Sequence, residues 1–92
     1  MKILVVDGQG GGVGRQLAAQ IKQAFPDVHL MAVGTNTIAT SAMLKSGADT
    51  AATGENAVIV AARKADVIVG VSDYTLGHLI QQAIDELRKI IA

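Results

Sequence analysis

The feature that most constrains this chain is the segment Gly8-Gln9-Gly10-Gly11-Gly12-Val13-Gly14, because it joins two stretches of different hydrophobic period. Ahead of it, Ile3 to Val6 is an unbroken aliphatic run ended by Asp7. A run without polar alternation is the pattern of a strand buried on both faces, as in a parallel sheet. Behind it, Val13, Leu17, Ile21 and Phe25 recur every four residues with Ala18 and Ala24 alongside, and Pro26 ends the stripe. That spacing predicts a helix over 12–24. Val28 to Val33, closed by Gly34-Thr35-Asn36, then supplies a second strand, so the first 36 residues make one strand-helix-strand unit of the usual ~30-residue size.

The same alternation continues. Thr37 to Ser46 holds Ile38, Ala42 and Leu44, with Lys45 and Gly47 where a helix finishes. Ala48 to Ala52 is expected as a short third strand of small residues. The run from Gly54 to Ala62, with Val58-Ile59-Val60 at its centre, fits either period. A helix is preferred there, because Asp66 to Val71 is the better strand and consecutive parallel strands need a crossover between them. From Thr75 on, Leu76, Leu79-Ile80, Ala83-Ile84, Leu87 and Ile90-Ile91 form one apolar face, opposed by Gln81, Gln82, Asp85, Glu86, Arg88 and Lys89. The expected fold is α/β, a Rossmann-like three-layer α/β/α arrangement with a parallel sheet of about four strands in the order 3-2-1-4. At 92 residues the chain is expected to be one domain, 1–92.

Composition removes several function classes. Eight Lys and Arg balance eight Asp and Glu, and the aromatics are one Phe and one Tyr. Neither a basic footprint nor a base-stacking platform is available, so nucleic acid is not an expected partner. With no Cys, disulfides, thiolate metal sites and thiol catalysis are excluded, which fits a reducing cytoplasm. No apolar run approaches the roughly 18 residues of a membrane span, and the opening strand is too short for a signal segment. No membrane association is expected.

The glycine segment has its own chemistry. Backbone amides free of Cβ can approach an anion closely, and the start of the following helix adds about half a positive charge. The expected ligand is a nucleotide or another phosphorylated small molecule. Its candidate contacts are Gly8, Gly10, Gly11, Gly12, Gly14, Arg15, Thr35, Asn36 and Asn56. The alternative is that the glycines only let the helix pack tightly on the sheet. The strict G-x-G-x-x-G spacing is not met, whereas G-x-x-x-G-x-G is met by Gly8, Gly12 and Gly14, as in short-chain dehydrogenases. A Walker loop fails, because Gln9 replaces its first glycine, Arg15 its lysine and Gln16 its Ser or Thr. The ligand stays unidentified on these grounds. Gly34-Thr35-Asn36 lacks the carboxylate that would bind the NAD ribose, which leaves NADP open, with Arg15, Thr35 and Asn36 as contacts to a 2′-phosphate. Asp7 beside a phosphate would have to be tied to loop amides or to coordinate a cation, and the first is favoured.

Catalytic groups are scarce. Tyr74 is followed four residues later by His78 where a short-chain dehydrogenase has Lys, and His29 stands at the start of strand two, away from the edge where open α/β sheets bind ligands. No catalytic set and no metal set is assigned. An enzymatic reading, of a small NADP-dependent or phosphate-handling enzyme, would rest on Asp7, Asp73 or His78. A third reading is an oligomeric scaffold.

The segments Asp7-Gly8-Gln9-Gly10-Gly11-Gly12-Val13-Gly14, Gly34-Thr35-Asn36, Ala39-Thr40-Ser41-Ala42-Met43-Leu44-Lys45-Ser46-Gly47-Ala48 and Ala52-Thr53-Gly54-Glu55-Asn56-Ala57 together resemble a family of small bacterial proteins, common in clostridia, of unknown function. The resemblance spans about residues 1 to 70, and the tail from Val71 resembles the family's last helix. It implies a Rossmann-like fold and no assigned reaction. Members of that family are longer, with a further strand and helix between the parts matching Gly70 and Val71, so this chain looks shortened there. In the order 3-2-1-4, strand 66–71 becomes an edge with no lysine or proline to blunt it, and a homodimer or larger assembly is expected, paired through that strand or the face of the last helix, with the strand favoured.

Overall fold

Residues 2–7, 29–34, 50–53 and 67–71 pair side by side in a computed structural model that describes residues 1–8, 12–71 and 79–91. In chain order the elements are β1 (Lys2–Asp7), α1 (Gly12–Ala24), β2 (His29–Gly34), α2 (Thr37–Lys45), β3 (Thr50–Thr53), α3 (Glu55–Lys64), β4 (Val67–Val71) and α4 (Leu79–Ile91). All pairings are parallel and the sheet order is β3-β2-β1-β4, the order expected from the pattern. The aliphatic runs of β1 and β2 take the inner positions, where both faces of a parallel sheet are covered.

Alternate residues of the strands serve two cores. Ile3, Val5, Leu30, Ala32 and Val71 pack with Leu17, Ala18 and Ile21 of α1, Met43 of α2, and Ile84 and Leu87 of α4. Leu4, Met31 and Val33 on the opposite face meet Ala57, Val58, Ala61 and Ala62 of α3. Among the described residues α3 is the only helix on that face, and it leaves the edge strand partly bare. Ile68 of β4 is 54% exposed, and Ile59 and Val60 of α3 are also exposed.

Three local expectations are revised. The third strand begins at Thr50, later than Ala48, because Asp49 occupies the first rung. Its N–H donates to the Leu30 carbonyl at 2.8 Å and its carboxylate accepts the Leu30 N–H at 2.7 Å. That bond, reinforced by the Lys22 ammonium 3.0 Å away, holds the Asp49 carboxyl below its ordinary pKa. In α2, Ala39 and Met43 are buried, whereas Ile38 and Leu44 point outward. The small Ala39 seats the helix against β2, and the larger Ile38 is turned away by that seating. In α4, Ile84 and Leu87 carry the packing and Ile90 is exposed. The region 54–62 is helical, as preferred from topology. The proposed start of the last helix at Thr75 lies outside the described residues.

Candidate functional site

Parallel strands deliver their carboxyl ends to one edge, and backbone bonds past the strand ends hold the connecting loops there. Gly8 N donates to Val71 O at 3.1 Å, Thr35 N to Asp7 O at 3.2 Å and Gly54 N to Gly34 O at 3.0 Å. The exits of all four strands are thereby tied in a row, which is where ligands of open α/β sheets bind. The first turn of α1 begins at this edge with Gly12, Val13, Gly14 and Arg15. Amides in a first helical turn have no partner within the helix.

The glycines here divide by role. A Cβ on Gly14 would fall within 2.9 Å of both Asp7 Cβ and Asp7 Cγ and overlap Asp7 Oδ2. Asp7 is 1% exposed and ends the central strand, so Gly14 is what lets α1 sit on β1. A Cβ on Gly34 would lie 2.7 Å from Thr40 N and 3.0 Å from Ala39 Cβ, so Gly34 likewise serves the approach of α2. Packing accounts for these two. Gly12 differs: a Cβ there would meet nothing within 4 Å among the described residues. Gly10 and Gly11, together with Asp73, Tyr74 and His78, lie outside the described residues.

The remaining candidates separate into two grooves. Arg15 forms one wall of a groove of about 560 Å³ whose other wall is Thr37, Ile38, Ser41, Lys45 and Ser46. Thr35 is exposed at the mouth of the β2 loop, and Asn36 caps α2, its Oδ1 accepting the Ala39 N–H at 2.9 Å. Asn56 is brought elsewhere, to a groove of about 500 Å³ on the α3 side of the sheet, beside Thr53, Val60 and Lys64. Arg15 is a candidate contact from sequence and Ser41 and Lys45 are not, although Thr37, Ser41 and Lys45 are spaced by four and share one helix face. Thr40 is likewise not among the sequence candidates. That hydroxyl bonds Asn36 O at 3.0 Å, Ala52 O at 3.2 Å and Thr53 Oγ1 at 2.7 Å, tying the β2 and β3 exits together.

Among the described residues, acid-base groups are sparse at this edge. His29 opens β2 at the opposite edge, exposed, with Nε2 3.4 Å from Thr50 Oγ1. Asp7 is buried beneath the first turn of α1. Among the described residues no three His, Asp or Glu side chains gather where they could hold a metal ion, and no helix is long and apolar enough to cross a membrane.

A family model described as Domain of unknown function (DUF3842) matches residues 2–78, a span that includes the glycine segment and all four strands. No curated protein and no solved structure matches the chain.

Proposed function

The chain belongs to this family of unknown function, and from that premise we propose that it is a binding domain for a nucleotide or another phosphorylated small molecule, held at the β1–α1 junction. The observation that carries the reading is Gly12. Gly12 is the first residue of α1, and among the described residues no neighbour requires its missing Cβ. An open approach to the first-turn amides gives that position a purpose that packing does not. The ligand's phosphate accepts from the amides of Gly12 to Gly14 and from the loop before them, with Thr35 and Asn36 at the same edge and Arg15 lining the adjoining groove. NADP and other nucleotides are the first compounds to test. The domain binds without chemistry of its own, in the cytoplasm, which the absence of cysteine suits.

The test is calorimetric titration of nucleotides and sugar phosphates into the wild type and Gly12→Val. Binding in the wild type and its loss in the variant support the reading. A ligand at 100 times its dissociation constant would add about 2.7 kcal/mol to stability, visible as a raised Tm. Undiminished affinity in Gly12→Val overturns the assignment of the site.

We also propose that two copies pair through β4. Among the described residues the strand is at the sheet edge, and Ile68 on its α3 side is 54% exposed, which is the condition in which a strand adds to another sheet. Light scattering should give a dimer at micromolar concentration, and Ile68→Lys should give a monomer. A monomeric wild type refutes the pairing, and a dimer that survives Ile68→Lys refutes its location.

A further inference from the structure

The groove between α1 and α2 is lined by two cations. Its two cations, Arg15 and Lys45, belong to a chain whose formal net charge is zero, and no carboxylate lines the groove. Three other cations are engaged elsewhere: Lys22 pairs with Asp49, Lys89 with Glu86, and Arg88 lies 5.5 Å from the centroid of the Phe25 ring. Arg15 and Lys45 form no ion pair among the described residues. Thr37, Ser41 and Lys45 are spaced by four, so their two hydroxyls and one ammonium run along one face of α2, about 12 Å from first to last at 1.5 Å rise per residue. Ile38, 73% exposed, adds an apolar patch to the same groove.

Two like charges facing one volume repel each other, and their placement is stabilised by an anion between them. One phosphate at the α1 amides needs neither cation. The groove begins beside those amides, at Arg15 in the first turn of α1 and Thr37 in the first turn of α2, so a ligand seated at the amides can extend into it. We infer that the groove takes a second phosphate of the same ligand, held by Arg15 and Lys45 with Ser41 as a hydroxyl donor, and that the ligand is a nucleotide phosphorylated on its ribose as well as at its 5′ position. Ile38 covers the sugar. This inference rests on the phosphate reading of the β1–α1 junction and narrows it to a ligand class.

The experiment titrates adenosine 5′-monophosphate, adenosine 2′,5′-bisphosphate and adenosine 3′,5′-bisphosphate into the wild type, Lys45→Gln and the double variant Ser41→Ala/Lys45→Gln. Charge-assisted bonds to one added phosphate should make one bisphosphate bind about tenfold tighter than the monophosphate or better. The two bisphosphates identify which ribose position is read. Lys45→Gln should bring that ratio close to one. Both substituted side chains are exposed, so the fold should persist by circular dichroism. A wild type that binds the monophosphate equally well overturns the second-phosphate inference and leaves the junction reading intact. A tenfold preference that survives the double variant overturns the assignment to this groove. Failure of all three nucleotides to bind overturns the inference together with the nucleotide form of the reading on which it rests.

Discussion

Replacing Gly14 with alanine tests how α1 is seated. On an isolated helix the change would be favourable, by about 0.5–1 kcal/mol. Here the added methyl falls within 2.9 Å of the Cβ and Cγ of Asp7 and overlaps its Oδ2. The carboxylate has little room to retreat, because Asp7 is 1% exposed and its backbone is paired with Gly34 on one side and Val71 on the other. Relief therefore requires α1 to lift from β1, which loosens Leu17, Ala18 and Ile21 in the core beneath it. Overpacking of this kind costs about 1–3 kcal/mol. The tight contacts are to atoms near the strand backbone, which favours the upper half of that range, and after the propensity gain the net loss is about 2 kcal/mol. For a domain of this size such a loss lowers Tm by roughly 8–16 °C. Urea unfolding followed by far-ultraviolet circular dichroism measures it. Asp7→Ala removes two of the three contact atoms, so the cost of Gly14→Ala should shrink by at least about 1 kcal/mol in that background. A Gly14→Ala protein as stable as the wild type, or a penalty unchanged by Asp7→Ala, would refute the reasoning.

Gly12→Ala should leave stability nearly unchanged, because Gly12 is the first residue of α1 and a Cβ there meets nothing within 4 Å among the described residues, while weakening phosphate binding, as a pair of melts with and without ligand would show. Asn36→Ala removes the cap that accepts the Ala39 N–H and should cost about 1 kcal/mol in chemical denaturation. Asp49 has a lowered pKa in the fold, chiefly from the Leu30 N–H and then from Lys22. Its contribution to stability is therefore complete above the unfolded carboxyl value near ~3.9 and is lost as pH falls through the lower folded value. Asp49→Asn should flatten the stability profile in that acid window, by a small amount because the carboxylate is 37% exposed, and should leave the neutral range with a constant offset.

Much of the architecture was legible in hydrophobic period alone. The aliphatic runs at Ile3–Val6 and Val28–Val33 appear as the two inner strands, and the stripe Val13, Leu17, Ile21, Phe25 appears as α1. The ambiguous run at 54–62 was resolved by connectivity, since two parallel strands in one sheet need an element between them. The strand order was expected from the Rossmann-like alternation of strands and helices. At the candidate site the residue types were legible, and their roles were not. Gly12 and Gly14 are two residues apart and identical in sequence terms, yet a Cβ on Gly14 would abut a buried carboxylate whereas one on Gly12 would meet nothing within 4 Å among the described residues. Asn36 reads as a ligand contact and also caps a helix. Asn56, grouped with Thr35 and Asn36 by its place after a strand, lines a groove on the α3 side of the sheet.

The sequence by itself determined the elements, their order and the edge to which the loops run, because period and connectivity are properties of the chain taken along its length. Tertiary structure decided which face each element turns inward. Ala39 and Met43 are buried in α2 while Ile38 is exposed, because the closeness of α2 to Gly34 admits only a small residue at the contact. β3 starts late because Asp49 bonds both the N–H and the C=O of Leu30, 19 residues earlier in the chain. The meeting of Arg15 with Lys45 across a groove depends on the same seating of α1 and α2 on β1 and β2. Each of these outcomes is set by contacts between residues distant in the chain, and such contacts leave no period in the sequence to be read.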